Sequence, residues 1–290
     1  MAPAAGLPQG RHLIPRTVTQ ADWQVVIVNY RTPTLALRAA RSVRRAAPRA
    51  DILVVDSSSD DPTLDLLEIQ AVARYMPLPE NRGYAAALNA GAREGHSRYL
   101  LLLNADVQVS PDSVLVFQRR FEAHSRLGIL APRLLSPDDS VQPSCRRFPT
   151  YGSLLISRGS PLGWLQATAR HSYRIPEPNC FTLTDVVAGA CLAIRREAWE
   201  ELDGMDGGFF LYAEDTDLCK RAKEAGWLVG YEPLVTARHQ WGASTQLARR
   251  TSHRLHAESL SRYFHKHRPE QRFMNTLVSW ILWIHARMRF

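Results

Sequence analysis

The sequence predicts an α/β fold, with a mostly parallel sheet flanked by helices, then a loop-rich region and a helical tail. Three observations carry this prediction. Short, continuous, aliphatic runs recur in the first half of the chain, as expected of strands buried on both faces. Segments with helical spacing of apolar residues separate these runs, and such alternation implies βαβ units with right-handed crossovers. Each run ends on polar residues, which sets them along the rim of the sheet where ligands of open α/β sheets bind.

Residues 1–21 are rich in Ala, Pro and Gly and read as a flexible extension. The fold begins at Trp23, with Val25-Val26-Ile27-Val28 as the first strand, ending in Asn29-Tyr30. Thr32-Pro33 starts a helix whose apolar positions, Leu35, Ala39, Val43 and Ala46, recur until Pro48 stops it. Ile52 to Val55 forms the second strand, closed by Asp56 and the polar turn Ser57-Ser58-Ser59-Asp60-Asp61, and Pro62 opens another helix. The cycle repeats with a strand near Ala73 to Met76, a helix from Tyr84, a strand at Tyr99 to Leu103 and a helix begun by Ser110-Pro111. Tyr30, Asp56, Asn81 and Asn104-Ala105-Asp106 then fall at or just past strand ends. No G-x-G-x-x-G follows the first strand, which disfavours an ordinary dinucleotide-binding fold.

From about Leu134 to Asn179 the pattern dissolves into prolines, arginines and isolated aromatics, including Arg146-Arg147-Phe148-Pro149 and Gly163-Trp164. Loop-rich stretches of this kind serve as lids or clefts, and this one is assigned to acceptor binding. A strand is expected at Val186 to Ile194, interrupted by Gly189, then a short helix at Glu197 to Leu202 and a strand at Leu228 to Tyr231. Between the last two, the stretch Gly207 to Trp227 brings Glu214, Asp215 and Asp217 to a helix start, with Gly226 as its C-cap. Acids there are favoured by the macrodipole and by free backbone N–H groups, so capping and chemistry both explain them. The chain thus divides into the extension 1–21, a domain 22–248 with halves 22–133 and 134–248, and a basic helical tail 249–290.

At 290 residues, 45% hydrophobic and 22% charged, the chain has the composition of one globular domain with tails. Its formal charge of +8 is carried almost wholly by arginine and suits an anionic partner. No aromatic–basic RNA-recognition signature accompanies it, so nucleic acid is not expected as that partner. Cys145, Cys180, Cys191 and Cys219 form no C-x-x-C pair, which argues against a zinc knuckle or a redox motif and fits a reducing, cytoplasmic setting. The first twenty residues lack the apolar core of a secretory signal, and no stretch is long enough to span a bilayer. The apolar run Leu277 to Ile284, with Trp280 and Trp283 near arginines, fits two readings. It is a helix docked on the domain, or an interfacial helix giving peripheral contact with the inner face of the plasma membrane.

Six motifs occur in order between Val25 and Ser244: V-V-I-V-N-Y, V-V-D-S-S-S-D-D, E-N-R-G-Y-A-A-A-L-N-A-G, L-L-L-N-A-D-V, E-D-T-D-L-C-K-R and H-Q-W-G-A-S. In this series the chain resembles the inverting family-two glycosyltransferases, and most closely their bacterial rhamnosyltransferase-like branch. The resemblance implies a GT-A, Rossmann-like fold, a dTDP- or UDP-sugar donor and a divalent cation, Mg2+ or Mn2+, that offsets charge on the departing diphosphate. The family's D-x-D-type motif is here Asn104-Ala105-Asp106, which leaves Asp106 as the main carboxylate ligand, and His239 approaches the metal or diphosphate from the other side. Asp56 is placed to accept from the N3–H of uracil or thymine, with Tyr30 flanking the base. Asn81-Arg82-Gly83 sits at a helix start, where N–H groups meet negative charge. Asp215 is the expected general base, Glu214 its neighbour, and Asp217 a residue that caps or orients.

The implied function is transfer of a sugar, with L-rhamnose from dTDP-rhamnose as the first choice, to a hydroxyl of a glycan, glycolipid or lipid-linked acceptor. A UDP- or GDP-hexose donor with a polysaccharide or natural-product acceptor is the alternative. A non-catalytic nucleotide-sugar-binding protein is the remote one. A pyrophosphorylase is disfavoured, because Asn29-Tyr30-Arg31-Thr32 stands where a glycine-rich activating loop would be.

Overall fold

The aliphatic runs of the first half become four adjacent parallel strands in the computed structural model, which describes residues 22–57, 66–155, 175–240 and 249–288. They are β1 (Trp23–Asn29), β2 (Asp51–Asp56), β3 (Arg74–Pro77) and β4 (Tyr99–Asn104), in the spatial order β3-β2-β1-β4. Helices α1 (Pro33–Ala46), α2 (Leu66–Gln70) and α3 (Tyr84–Arg93) provide the crossovers. Alternate residues of β1 serve two cores. Val25 and Ile27 join a cluster with Trp23, Tyr99, Phe117 and Phe121, whereas Val26 and Val28 join one with Leu53, Leu100, Trp199 and Trp227. Burial on both faces is what the unbroken aliphatic pattern encodes.

The second half differs from the sequence expectation in its strands. β5 (Val107–Val109), α4 (Ser113–Ala123), β6 (Leu127–Leu135), β7 (Val141–Gln142), α5 (Tyr151–Leu155) and β8 (Thr182–Leu183) precede β9 (Cys191–Arg195). Then follow α6 (Arg196–Glu201), α7 (Glu214–Glu224) and β10 (Leu228–His239). β9 lies antiparallel between β4 and β6, β10 runs parallel to β6, and β5 closes the far edge antiparallel to β10, so the parallel half continues into a mixed one. The strand expected from Val186 begins only at Cys191, because Val186 instead bridges Arg146 and Gly189-Ala190 forms a turn. β10 runs eight residues beyond Tyr231, with its register shifting between Glu232 and Thr236 around Pro233. Gly226, at φ +83, ends α7 as expected. Residues 1–21, the turn 58–62, Gly163, Trp164 and the last four residues of H-Q-W-G-A-S lie outside the described residues.

The tail forms two helices, α8 (Arg249–His267) and α9 (Arg272–Met288). Phe209, Tyr263, Phe264 and Val278 make a third small core between them and the domain, and Tyr151 donates to Asn275 Oδ1 at 2.6 Å. One face of α9 is therefore docked. No helix among the described residues is long and apolar enough to cross a membrane.

The start of α3 joins the two halves through a close backbone contact. Tyr84 N–H, at the start of α3, donates to Phe210 O at 2.8 Å, and a Cβ on Gly83 would lie 2.3 Å from that same oxygen. Gly83 also holds φ +94, so only glycine meets both demands. Gly83→Ala is expected to lower unfolding stability by about 2 kcal/mol or more. A urea midpoint equal to that of the unmodified protein would show that the loop yields freely.

Candidate active site

The site forms where strand ends, the turn before β9 and the start of α7 converge. At the end of β2, the buried Asp56 accepts from Asn29 Nδ2 at 3.0 Å and from Tyr75 OH at 2.6 Å. Tyr30 is half-buried beside it in sequence to Asn29, with the Arg31 guanidinium 5.4 Å from its ring centre. Asn81 Oδ1 accepts from Gly83 N–H at 2.9 Å and shapes the entry to α3. Arg82 forms an exposed ion pair with Glu80.

Asn104 ends β4, the buried Ala105 follows, and Asp106 precedes β5. The antiparallel register sets His239 opposite Val107, and His239 Nε2 stands 3.4 Å from Asp106 Oδ1. Gln142 fixes the ring. Its amide nitrogen donates to His239 O at 2.8 Å, which orients its oxygen toward His239 Nδ1, also at 2.8 Å. Nδ1 then carries the proton in the neutral imidazole, and Nε2 is the acceptor nitrogen on the Asp106 side. A carboxylate oxygen and an acceptor nitrogen held this way in a buried position form a donor set suited to a divalent cation. No group of three or more His, Cys, Asp or Glu that could enclose a metal occurs among the described residues.

The acidic helix start is entered through Tyr212 (φ 73) and Ala213 (φ 60), two successive residues in the left-handed region. Asp215 Oδ2 accepts from Arg146 Nη2 and, at 2.9 Å, from Gly189 N–H, while Oδ1 accepts from Thr216 N–H at 2.6 Å and Thr216 Oγ1 at 3.0 Å. A Cβ on Gly189 would lie 3.0 Å from Asp215 Cβ, so this approach depends on glycine. The next residue, Ala190, accepts from Asn104 N–H at 3.0 Å, which ties the acids to the Asn104-Ala105-Asp106 turn. None of the three acids caps α7 from the N-cap position, which Ala213 holds. Asp215 nevertheless satisfies one free amide of the first turn, so capping and positioning coincide in that residue.

Glu214 is buried, and its Oε2 has no hydrogen-bond partner among the described residues. Burial, reinforced by the charge of Asp215, pushes its carboxyl up to about 8. Glu214 thus keeps its proton near neutrality, beside an Asp215 carboxyl paired with Arg146. Tyr84 OH stands 3.4 Å from Gly189 O, and burial together with the charges of Glu214 and Asp106 raises this phenol well above its usual range.

Asp217 faces away from this group. It is fully buried and paired with Arg221 Nε at 2.7 Å, Lys266 Nζ at 2.7 Å and His267 Nε2 at 2.8 Å. Burial raises its carboxyl, but hydrogen bonds from His267 and Lys266 and the charge of Arg221 outweigh that and hold it at about 2. The acid orients α8 on α7. Sequence reasoning missed Arg146 and Tyr84 as site residues. Arg146 lies 69 residues from its partner, and its only signal was the Arg146-Arg147-Phe148-Pro149 cluster in the loop-rich stretch.

Residues 24–203 match the family described as Glycosyl transferase family 2. The chain is 32% identical over 244 residues to the N-acetylglucosaminyl-diphospho-decaprenol L-rhamnosyltransferase of Mycobacterium tuberculosis, a match covering 76% of each chain. It is 28% identical to rhamnosyltransferase WbbL of Escherichia coli strain K12, over 61% of this chain and 65% of that one. Among solved structures it resembles GalNAc-T7 with UDP, GalNAc and Mn2+, at TM-score 0.57 and 15% identity, covering 76% of this chain but 44% of that one. It also resembles the mannosyltransferase PcManGT of Pyrobaculum calidifontis in complex with GDP-Man and Mn2+, at TM-score 0.56 and 18% identity, covering 84% of this chain and 63% of that one. These two likenesses establish a shared fold.

The elevated carboxyl of Glu214 has a thermodynamic signature. The folded protein retains a proton that the unfolded chain releases near 4.5, so between about 4.5 and about 8 stability falls as pH rises. Glu214→Gln should remove that slope. The variant's Tm should exceed that of the parent by a margin that grows toward pH 8 and vanishes below about 4.5. Parallel Tm profiles for the two proteins would mean that Glu214 is ionised in the folded state.

Proposed function

The chain belongs to glycosyl transferase family 2 and is a glycosyltransferase acting on glycan or lipid-linked acceptors, and from that premise we propose its donor, metal and mechanism. The donor is dTDP-L-rhamnose, the acceptor a hydroxyl of a lipid-linked glycan, and transfer inverts the anomeric carbon. The rhamnosyltransferase names of the two curated relatives support the donor, and the decaprenol-linked name of one supports the acceptor. One observation carries the mechanism: the Gly189-Ala190 turn links Asp215 on one side to Asn104 on the other. A base and a leaving-group site so joined can act on opposite faces of one sugar carbon.

In this reading residues 22–133 hold the donor, 134–248 the acceptor and catalytic groups, and 249–290 form the tail. Asp56, oriented by Asn29 and Tyr75, accepts from N3–H of the base, and Tyr30 flanks that ring. Asn81, Arg82 and Gly83 face the diphosphate at the start of α3. Asp106 and His239 would hold Mg2+ or Mn2+, with Asn104 and Ala105 shaping the turn, and diphosphate oxygens and water would complete the ligand set. The bound cation supplies charge neutralisation on the leaving diphosphate.

Asp215 takes the proton of the acceptor hydroxyl as its oxygen attacks, the new glycosidic bond forms, and the bond to the diphosphate breaks on the opposite face. Arg146 pairs with Asp215, and Gly189 and Thr216 fix its angle. Glu214, protonated near neutrality and without a hydrogen-bond partner for its Oε2 among the described residues, is available to donate to the acceptor. The location proposed is cytoplasmic.

Following nucleotide diphosphate release from a panel of donors tests this. Release is expected from dTDP-rhamnose in the presence of divalent metal and a lipid-linked acceptor, and release from UDP-sugars alone would replace the donor. Asp215→Asn should slow turnover about 1000-fold while calorimetric nucleotide binding persists. Retained turnover would transfer the base role to Glu214. His239→Ala should raise the metal concentration needed for half-maximal rate, and an unchanged metal titration would remove His239 from the ligand set.

A further inference from the structure

α9 has two apolar faces, and only one of them is docked. Asn275 and Val278 are buried, Ser279 Oγ meets Ser261 Oγ at 2.6 Å, and Leu282 packs on the Phe209–Tyr263–Phe264 cluster. On the opposite side Phe273 (81% exposed), Leu277, Trp280 (65%), Ile281 and Ile284 follow the spacing i, i+4, i+7, i+8, i+11, and Trp283 flanks them. Single exposed apolar residues are ordinary on soluble proteins, but a continuous stripe of this size marks an interaction surface. We propose that this face of α9 lies in the interfacial plane of an anionic lipid bilayer and so presents the active site to a lipid-linked acceptor.

Charge selects lipid over a second copy of the chain. Residues 272–288 contain no Asp or Glu, while Arg272 and Arg287 bracket the stripe and the Arg287 guanidinium lies 3.8 Å from the Trp283 ring centre. Two such faces brought together would oppose arginine to arginine, whereas anionic headgroups complement them. Tryptophan and arginine side by side also match the interfacial depth, where the ring is apolar at one end and wet at the other. At 17 residues α9 is about 25 Å long, short of what a perpendicular crossing needs, so it lies along the surface.

The docked face makes this more than an anchor. α9 packs on α8, and α8 is fixed to α7 through Asp217 with Lys266 and His267, and to the loop before α7 through Ser259 Oγ on Leu211 O at 2.8 Å. The bilayer plane is thereby set at a constant angle to the helix that begins with Glu214 and Asp215. The purpose of this arrangement rests on the lipid-linked acceptor proposed above; the docking itself does not.

The test is flotation of the full chain with phosphatidylcholine vesicles, with and without phosphatidylglycerol, beside the variant Leu277→Ser/Trp280→Ser/Ile281→Ser. The parent should float with the anionic vesicles and the variant about tenfold less. The variant should keep the parent's Tm and its turnover on a short water-soluble acceptor analogue, but lose turnover on an acceptor embedded in vesicles. As a readout that needs no variant, brominated lipid should quench tryptophan emission of the parent. Absence of flotation and quenching in the parent, equal flotation of parent and variant, or equal flotation on neutral vesicles would each overturn the proposal. So would a parent dimer, abolished in the variant, without vesicle binding. Flotation by a protein inactive with dTDP-rhamnose would leave the docking standing and remove the donor assignment.

Discussion

A single carboxylate, Asp215, accepts hydrogen bonds from three separated stretches of chain, and the site depends on that convergence. Arg146 comes from beyond β7, Gly189 from the turn before β9, and Thr216 from α7 itself. A buried carboxyl is tolerated only when it is paired and hydrogen-bonded, and these donors meet that condition. The mixed sheet makes the convergence geometrically available. Because β9 runs opposite to β4, its beginning lies beside the end of β4, which sets Gly189-Ala190 against Asn104. A parallel strand in that place would have put its beginning at the far edge of the sheet.

Three acids within four residues end up in three electrostatic states. Asp215 is paired with one arginine, Glu214 is held near 8 by burial, and Asp217 is held near 2 by hydrogen bonds from His267 and Lys266 and the charge of Arg221. Environment, not residue type, separates them. The bond of Asp217 to Lys266 and His267 also gives the basic tail a place in this domain: part of its charge neutralises an acid that α7 carries inward.

The parallel half of the fold was legible because it is local. An aliphatic run, a proline-started helix and a polar terminus recur at short range, and β1 to β4 with α1 and α3 lie where that pattern puts them. The other half is set by pairings between distant segments. β6 contains Gly128 and Pro132, β5 is three residues long, and β9 owes its direction to neighbours on both sides, so no local period announces them. In the site, Asp106 and His239 were named together through the family resemblance alone, and the structure sets them 3.4 Å apart. Tyr84 was placed only at the start of the helix, and its proximity to Glu214 and Asp106 exists only after α3 meets the loop at Phe210. Likewise, the mutual influence of the three acids was foreseeable, but which one would be buried without a partner was not.

The successive left-handed residues Tyr212 and Ala213 store strain of order 1–3 kcal/mol each, and that strain is restrained from behind. Ser259 holds Leu211 O, His256 meets the Tyr212 ring edge-on at 5.4 Å, and Asp217 N–H donates back to Ala213 O. Two of these three restraints come from α8. The acidic turn therefore takes its shape from a helix far along the chain, Arg249–His267, and a truncation that spared every acid of α7 would still release the turn that presents them.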